Sequence, residues 1–218
     1  MIFKQGNILF DIQKEGKLES GSECMQTKKE ELRQMILDMA RIEFLHHGYE
    51  NSSLRVIAKK AHTTLGNIYH YFPNKEAILD EILAPAICGL NELCRTHFEQ
   101  AVFIKDIEEF NVMLESVDLE DTSMRTLLSP EFVILMKTDV ERYVKYREHF
   151  KELLVRHIAW HMGIEVNHFV RLVMDMMIEC LIHLNTSTSD IKEKRKDFMM
   201  FFKTLCAGIV VQKDEKDK

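Results

Sequence analysis

Apolar residues in this chain recur at steps of three and four. From residue 75 onward no window alternates with a period of two, so the pattern predicts helices throughout. Ile36, Ala40 and Phe44 stand at i, i+4 and i+8 on a first helix. Leu54, Ile57, Ala58 and Ala61 follow at i, i+3, i+4 and i+7, with Ser52 or Ser53 ahead of them as N-cap. A turn at 61–63 leads to Thr64, a second N-cap, and to a short helix carrying Ile68, Tyr69 and Phe72. Pro73 ends that helix, and Asn74 caps another that opens on Lys75 and Glu76.

Beyond this point the elements lengthen. The helix from Asn74 is expected to be interrupted at Pro85 and again at Gly89, with helical spacing resuming at Leu90, Leu93, Cys94 and Phe98. Phe110, Met113, Leu114 and Val117 predict a helix before an acidic break at 118–121. Ser129 followed by Pro130 is a helix start, and helix then runs to Gly163 with a break near Thr138 and Asp139. Val166, Phe169, Val170, Val173, Met174, Met177, Leu181 and Leu184 form one apolar stripe. After a loop at 186–190, Phe198, Phe201, Phe202, Leu205 and Ile209 form another. These last two helices are also apolar off their stripes, at Leu172, Met176, Met199, Met200 and Val210. A helix apolar nearly all round is buried on two sides. The second side meets either another subunit or the chain's own core.

Two helices joined by a three-residue turn, the second short and polar at its start, is the geometry that offers side chains to base edges in a major groove. The run 48–75 resembles the DNA-binding domain of the tetracycline-repressor (TetR) family of bacterial regulators. It does so at Gly48, Tyr49, Ser52, Ser53, Ile57, Ala58, Ala61, Gly66, Ile68, Tyr69, His70, Tyr71, Phe72, Lys75 and Glu76. The resemblance covers about residues 28–83. It departs from the family at His62, where the turn often has Gly, at Thr63, where Val is usual, and at Leu65, commonly basic. His62 therefore requires either a turn that avoids positive φ or a strained residue.

The resemblance implies an all-α protein: an N-terminal three-helix DNA-binding domain at 26–83 and a larger helical effector-binding and dimerisation domain at 84–218. Residues 1–25, of mixed polarity with three glycines, read as a leader or as an arm. DNA contacts are expected from Ser52, Ser53, Thr63, Thr64, Leu65, Gly66, Asn67, Tyr69, His70 and Lys75. Phosphate contacts fall to the helix-start hydroxyls, Tyr69, His70 and Lys75, and base readout to Thr63, Leu65 and Asn67. The family's larger domain usually holds an effector cavity, which here would draw on Met113, Met136, Tyr143, His149, Arg156, His157, Trp160, Met174 and Met177. Family members usually dimerise through their last two helices, which nominates Phe169, Val173, Met176, Phe198, Phe202, Leu205 and Ile209. The implied partners are a pseudo-palindromic double-stranded DNA operator, a second copy of the chain and a small-molecule effector of unknown identity.

Charge sharpens this picture. The chain carries a net −6, but residues 26–75 hold eight Lys/Arg against five Asp/Glu, while residues 76–218 hold 18 against 26. A basic head on an acidic body suits contact with DNA at one end. No stretch approaches the ~20 apolar residues of a membrane span. Cys24, Cys88, Cys94, Cys180 and Cys206 are odd in number and scattered, the usage of a reducing cytoplasm.

Enzymatic chemistry finds little support. His157 and His161 stand one turn apart, with Glu165 and His168 beyond, and two such histidines can share a metal. Ile158, however, occupies the place of the glutamate base in helical zinc peptidases, and Gly163 ends the helix before Glu165. No metal, no cofactor and no catalytic residue is expected. The alternative to a ligand-responsive regulator is a DNA-binding protein of the same fold with a structural or protein-recruiting task.

Overall fold

The computed structural model describes residues 21–98, 122–187 and 190–216. Among them every regular element is helical. Helix α1 spans Gly21–His47, α2 Leu54–Lys60, α3 Leu65–Tyr71 and α4 Lys75–Leu93, which passes into a π-helical turn at Cys94–Phe98. Then come α5 (Thr122–Leu127), α6 (Pro130–Lys137), α7 (Glu141–Met162), α8 (His168–Ser187) and α9 (Ile191–Lys216). None is long and apolar enough to cross a membrane. Met113 and the helix expected around it lie outside the described residues, as does the segment 1–20.

The first three helices and the start of α4 form a small head. Ile36, Leu37, Ala40 and Phe44 of α1 meet Ile57, Ala58, Ala61, Ile68 and Phe72, all buried. Gly48 ends α1 with φ +77, and its amide bonds back to Phe44 O at 2.9 Å. The end of α2 makes paired closing bonds, Thr63 N to Ala58 O at 2.9 Å and His62 N to Lys59 O at 3.2 Å. That motif needs its penultimate residue in the left-handed region, and His62 sits there with φ 51. The turn therefore keeps the geometry usual with glycine and strains a residue that has a Cβ.

Helix α4 continues from the head into the body. It buries Ile78, Leu79, Ile82, Leu83, Ala86, Gly89 and Leu90 and packs against α1, α5 and α6. The break expected at Pro85 does not occur: α4 runs through it without interruption, and Pro85 is exposed, so the carbonyl its ring leaves unbonded is on the wetted side. Gly89 is not a breaker either. It is the crossing point of α4 and α5, where a Cβ would fall 2.0 Å from Thr126 Oγ1. The residue is small because another helix lies against it.

In the body, Ser129 caps α6 by accepting from Phe132 N at 3.3 Å, and Gly163 ends α7 in the left-handed region, both as the sequence indicates. Val170, Val173, Met174, Ile178, Leu181 and Leu184 of α8 join Phe132, Phe150, Val155 and Phe198 in a buried cluster that is continuous with the head's. Asn185, also buried, donates to Leu127 O and Leu181 O, both at 2.9 Å, and accepts from Lys194, so it ties α8 to α5 and α9.

Gly89→Ala should destabilise the fold by about 1–3 kcal/mol, because a packed crossing resists an added methyl. Adding Thr126→Ala should recover most of that loss, as read from denaturant midpoints of the two single variants and the double.

Candidate nucleic-acid interface

Helix α3 owes its orientation to two buried anchors. Ile68 and Phe72 face the core, and this turns Gly66, Asn67, Tyr69 and His70 outward, all exposed, with Leu65 at the margin. Thr64 caps α3 by accepting from Asn67 N at 3.2 Å. The Asn67 amide is steadied by donating to Thr63 Oγ1 at 3.0 Å, which leaves its oxygen free to accept. At Gly66 a Cβ would meet only Thr64 Oγ1, at 3.8 Å. The protein's own packing thus does not demand glycine there, and the bare backbone is open to whatever approaches α3. His70 packs edge-on against Tyr71, with ring centroids 5.3 Å apart.

The turn 49–53 before α2 assigns the two serines separate parts. Ser53 is the N-cap, accepting from Arg55 N at 3.3 Å. Ser52 is 7% exposed and its hydroxyl donates to Tyr49 O at 2.6 Å, so it is committed within the head and does not reach outward.

Lys75 departs furthest from expectation. Its ammonium donates to the carbonyls of Tyr49 at 2.6 Å, Ser52 at 3.1 Å and Glu50 at 3.4 Å, and sits 4.2 Å from the centre of the Tyr49 ring. Burial pulls its pKa below the usual lysine value, with Glu50 opposing. All three ammonium hydrogens are taken up, so Lys75 fastens the turn 49–53 to the start of α4 and has none left for a phosphate. Sequence spacing could not distinguish these roles, because both place a lysine just after the recognition helix. Two cations that the sequence reading passed over lie exposed on α2, Arg55 in its first turn and Lys59 in its last. Neighbouring Lys60 is instead paired with buried Glu43.

The nominated effector residues differ in burial. Met136 and Met174 are buried core residues and Met177 is half-buried. Tyr143 is buried, and its hydroxyl donates to Asp80 Oδ1 at 2.6 Å. Burial first and the Asp80 carboxylate second push its pKa up to about 12. His149, Arg156 and Trp160 are exposed; His157 stacks on Trp160 at 6.1 Å, and Arg156 lies 3.5 Å from Glu152. Among the described residues, Met136, Tyr143 and Met174 are buried, while His149, Arg156 and Trp160 are exposed on α7.

The dimer residues also divide. Phe169 is 49% and Met176 55% exposed, on one face of α8 with Leu172, and Met200 of α9 is exposed too. Val173 and Phe198, each 4% exposed, belong to the chain's own core. Phe202 and Leu205 are half-buried, Phe202 stacking on Phe198 at 5.8 Å, and the side chain of Ile209 lies outside the described residues. Cys88 is exposed, while burial raises the thiol pKa of Cys94 and of Cys180.

With this geometry in hand, residues 36–82 match the family model for bacterial regulatory proteins of the tetR family. The chain is 36% identical over 59 residues to the HTH-type transcriptional regulator UidR of Escherichia coli, covering 27% of this chain and 30% of UidR. It is 31% identical over 109 residues to the uncharacterized HTH-type transcriptional regulator YdgC of Bacillus subtilis, covering 50% of this chain and 49% of YdgC. The chain therefore spans less than half the length of either relative. Among solved structures, the TetR family transcriptional regulator PfmR of Thermus thermophilus shares the fold at a TM-score of 0.52 and 21% identity, covering 80% of this chain and 96% of PfmR. Within residues 36–82, then, this chain carries a helix-turn-helix segment like that of the tetR family of bacterial regulatory proteins.

Proposed function

We propose that the protein is a DNA-binding transcriptional regulator that acts as a homodimer on a pseudo-palindromic operator. The observation that carries this is the outward face of α3. Thr63, Leu65, Gly66, Asn67, Tyr69 and His70 stand above two buried anchors, with the Asn67 amide pre-oriented and the backbone bare at Gly66. Base readout falls to Thr63, Leu65 and Asn67. Phosphate contacts fall to Ser53, Thr64, Tyr69 and His70 with Arg55 added, while Lys75 and Ser52 hold the turn behind them. The exposed apolar face of α8 at Phe169, Leu172 and Met176 supplies the subunit contact, with Val173 and Phe198 supporting it from within. The finer reading is a cytoplasmic repressor released by a small apolar or amphipathic effector. It rests on the family resemblance and on the body's packing against α4, and the alternative is a ligand-independent, protein-recruiting role.

Selection from a random duplex library should return two half-sites one helical turn or a multiple of it apart, with A·T pairs opposite Leu65 and Asn67. Asn67→Ala should cost about 1–3 kcal/mol on the selected duplex and relax the preference at one position. Guanine-dominated positions that Asn67→Ala leaves untouched would refute the readout.

The cations separate by salt dependence. Arg55→Ala should flatten the plot of log affinity against log salt by roughly one unit. Lys75→Met should leave that slope alone, lower the thermal midpoint and weaken binding to all duplexes alike. A flattened slope for Lys75→Met would return it to the phosphates.

Light scattering should find Phe169→Glu with Met176→Glu monomeric and still folded. Phe198→Ala should instead lose about 3–5 kcal/mol of stability, as expected for a core phenylalanine.

A further inference from the structure

The start of α7 lacks a cap of its own. Its N-cap, Val140, has no side-chain acceptor to offer, and the first turn of any helix carries N–H groups without helical partners. The two residues just before that N-cap are instead held from the head. Glu50 Oε1 accepts from Asp139 N at 2.8 Å and from the Thr138 hydroxyl at 3.3 Å, and that hydroxyl in turn accepts from Val140 N at 3.4 Å. Thr138 is 1% exposed, while Asp139 and Glu50 are exposed, so the contact has one buried partner and a wetted rim. A carboxylate at the positive end of a helix is favoured by charge as well as by hydrogen bonding.

Both sides of this contact are stiff. On the body side, Arg147 of α7 donates to the carbonyls of Met136 at 2.9 Å and Thr138 at 3.0 Å, which locks the α6–α7 corner onto α7. On the head side, Glu50 stands three residues before the Ser53 cap of α2, in the turn that Lys75 grips by its carbonyls. One carboxylate thus joins the start of α7 to the start of α2 without passing through α4. The other ties from the α7 start run to α4: Arg142 pairs with Glu76 and Asp80 in solvent, which contributes little, and the Tyr143 hydroxyl donates to Asp80 Oδ1 at 2.6 Å.

We propose that Glu50 is a coupling residue, a bridge to the corner before α7 through which movement of α7 reaches the helix-turn-helix directly. Its effect on operator affinity rests on the DNA-binding reading; its effect on the head does not. The test is a double-mutant cycle of Glu50→Ala and Thr138→Val in the full chain. The first readout, without DNA, is amide hydrogen exchange in α2, where Ile57 N bonds Ser53 O and Ala61 N bonds Ile57 O. Thr138→Val should speed α2 exchange about three- to tenfold, the scale of one lost hydrogen bond, and should have no effect once Glu50 is alanine. Glu50→Gln, which keeps an acceptor oxygen and loses the charge, should fall between. The second readout is affinity for a duplex selected by the wild-type chain, where Thr138→Val should weaken binding by a similar factor only while Glu50 is present.

Unchanged α2 exchange in Thr138→Val, or an equal change in both backgrounds, overturns the proposal. An exchange cycle that shows coupling beside additive affinities would make the contact structural and overturn its part in DNA binding. A wild-type chain that selects no duplex, with the exchange cycle intact, would sink the DNA-binding reading and support the clasp.

Discussion

The buried stripe of α4 is the constraint on which the other elements depend. Ile78, Leu79, Ile82 and Leu83 complete the core of the head at one end, while Ala86, Gly89 and Leu90 lie among α5 and α6 at the other. A surface helix needs one apolar face; this one serves two sets of neighbours along a single rod. Because one helix closes both cores, the buried cluster is continuous from Ile36 to Phe198. The head is not a bead on a string, and polar contacts across the junction work on a base that is already packed.

Those polar contacts are uneven in kind. Arg142 with Glu76 and Asp80 lies in solvent, as does Arg33 with Glu81 in part, and exposed pairs gain little over hydration. Tyr143 sets a part-buried hydroxyl against the Asp80 carboxylate, while Arg147 on the α6–α7 carbonyls and Lys75 on the 49–53 carbonyls place charge against partly dry backbone. There a lost partner leaves a desolvated group behind, so their geometry is held more firmly than their number implies.

The local features were legible in the sequence because local chemistry dictates them. Ser53, Thr64, Asn74 and Ser129 are caps whose side chains bond two or three residues onward, and the core of the helix-turn-helix follows from spacing alone. What sequence could not supply was long-range. Lys75 was expected on the outside because a lysine beside a recognition helix is usually solvated, and nothing in the run 49–53 announces that its carbonyls converge. Gly89 reads as a breaker until Thr126 is known to lie against it. Val173 and Phe169 share a stripe in periodicity, and only the placement of α7 and α9 decides that the first is core and the second surface. The effector set is subject to the same limit: methionine content measures adaptable apolar volume and says nothing of whether that volume is hollow.

That α4 passes Pro85 without a break has a mechanical consequence. Its 19 residues make a rod about 28 Å long at 1.5 Å per residue, so a tilt of about 5° at one end carries the other through about 2.5 Å. A flexible joint in mid-rod would absorb such a tilt; an unbroken helix delivers it. The displacement is close to the ~3.4 Å rise of one base pair, so a small rearrangement among α5 and α6 acts at the head on the length scale in which a duplex is divided.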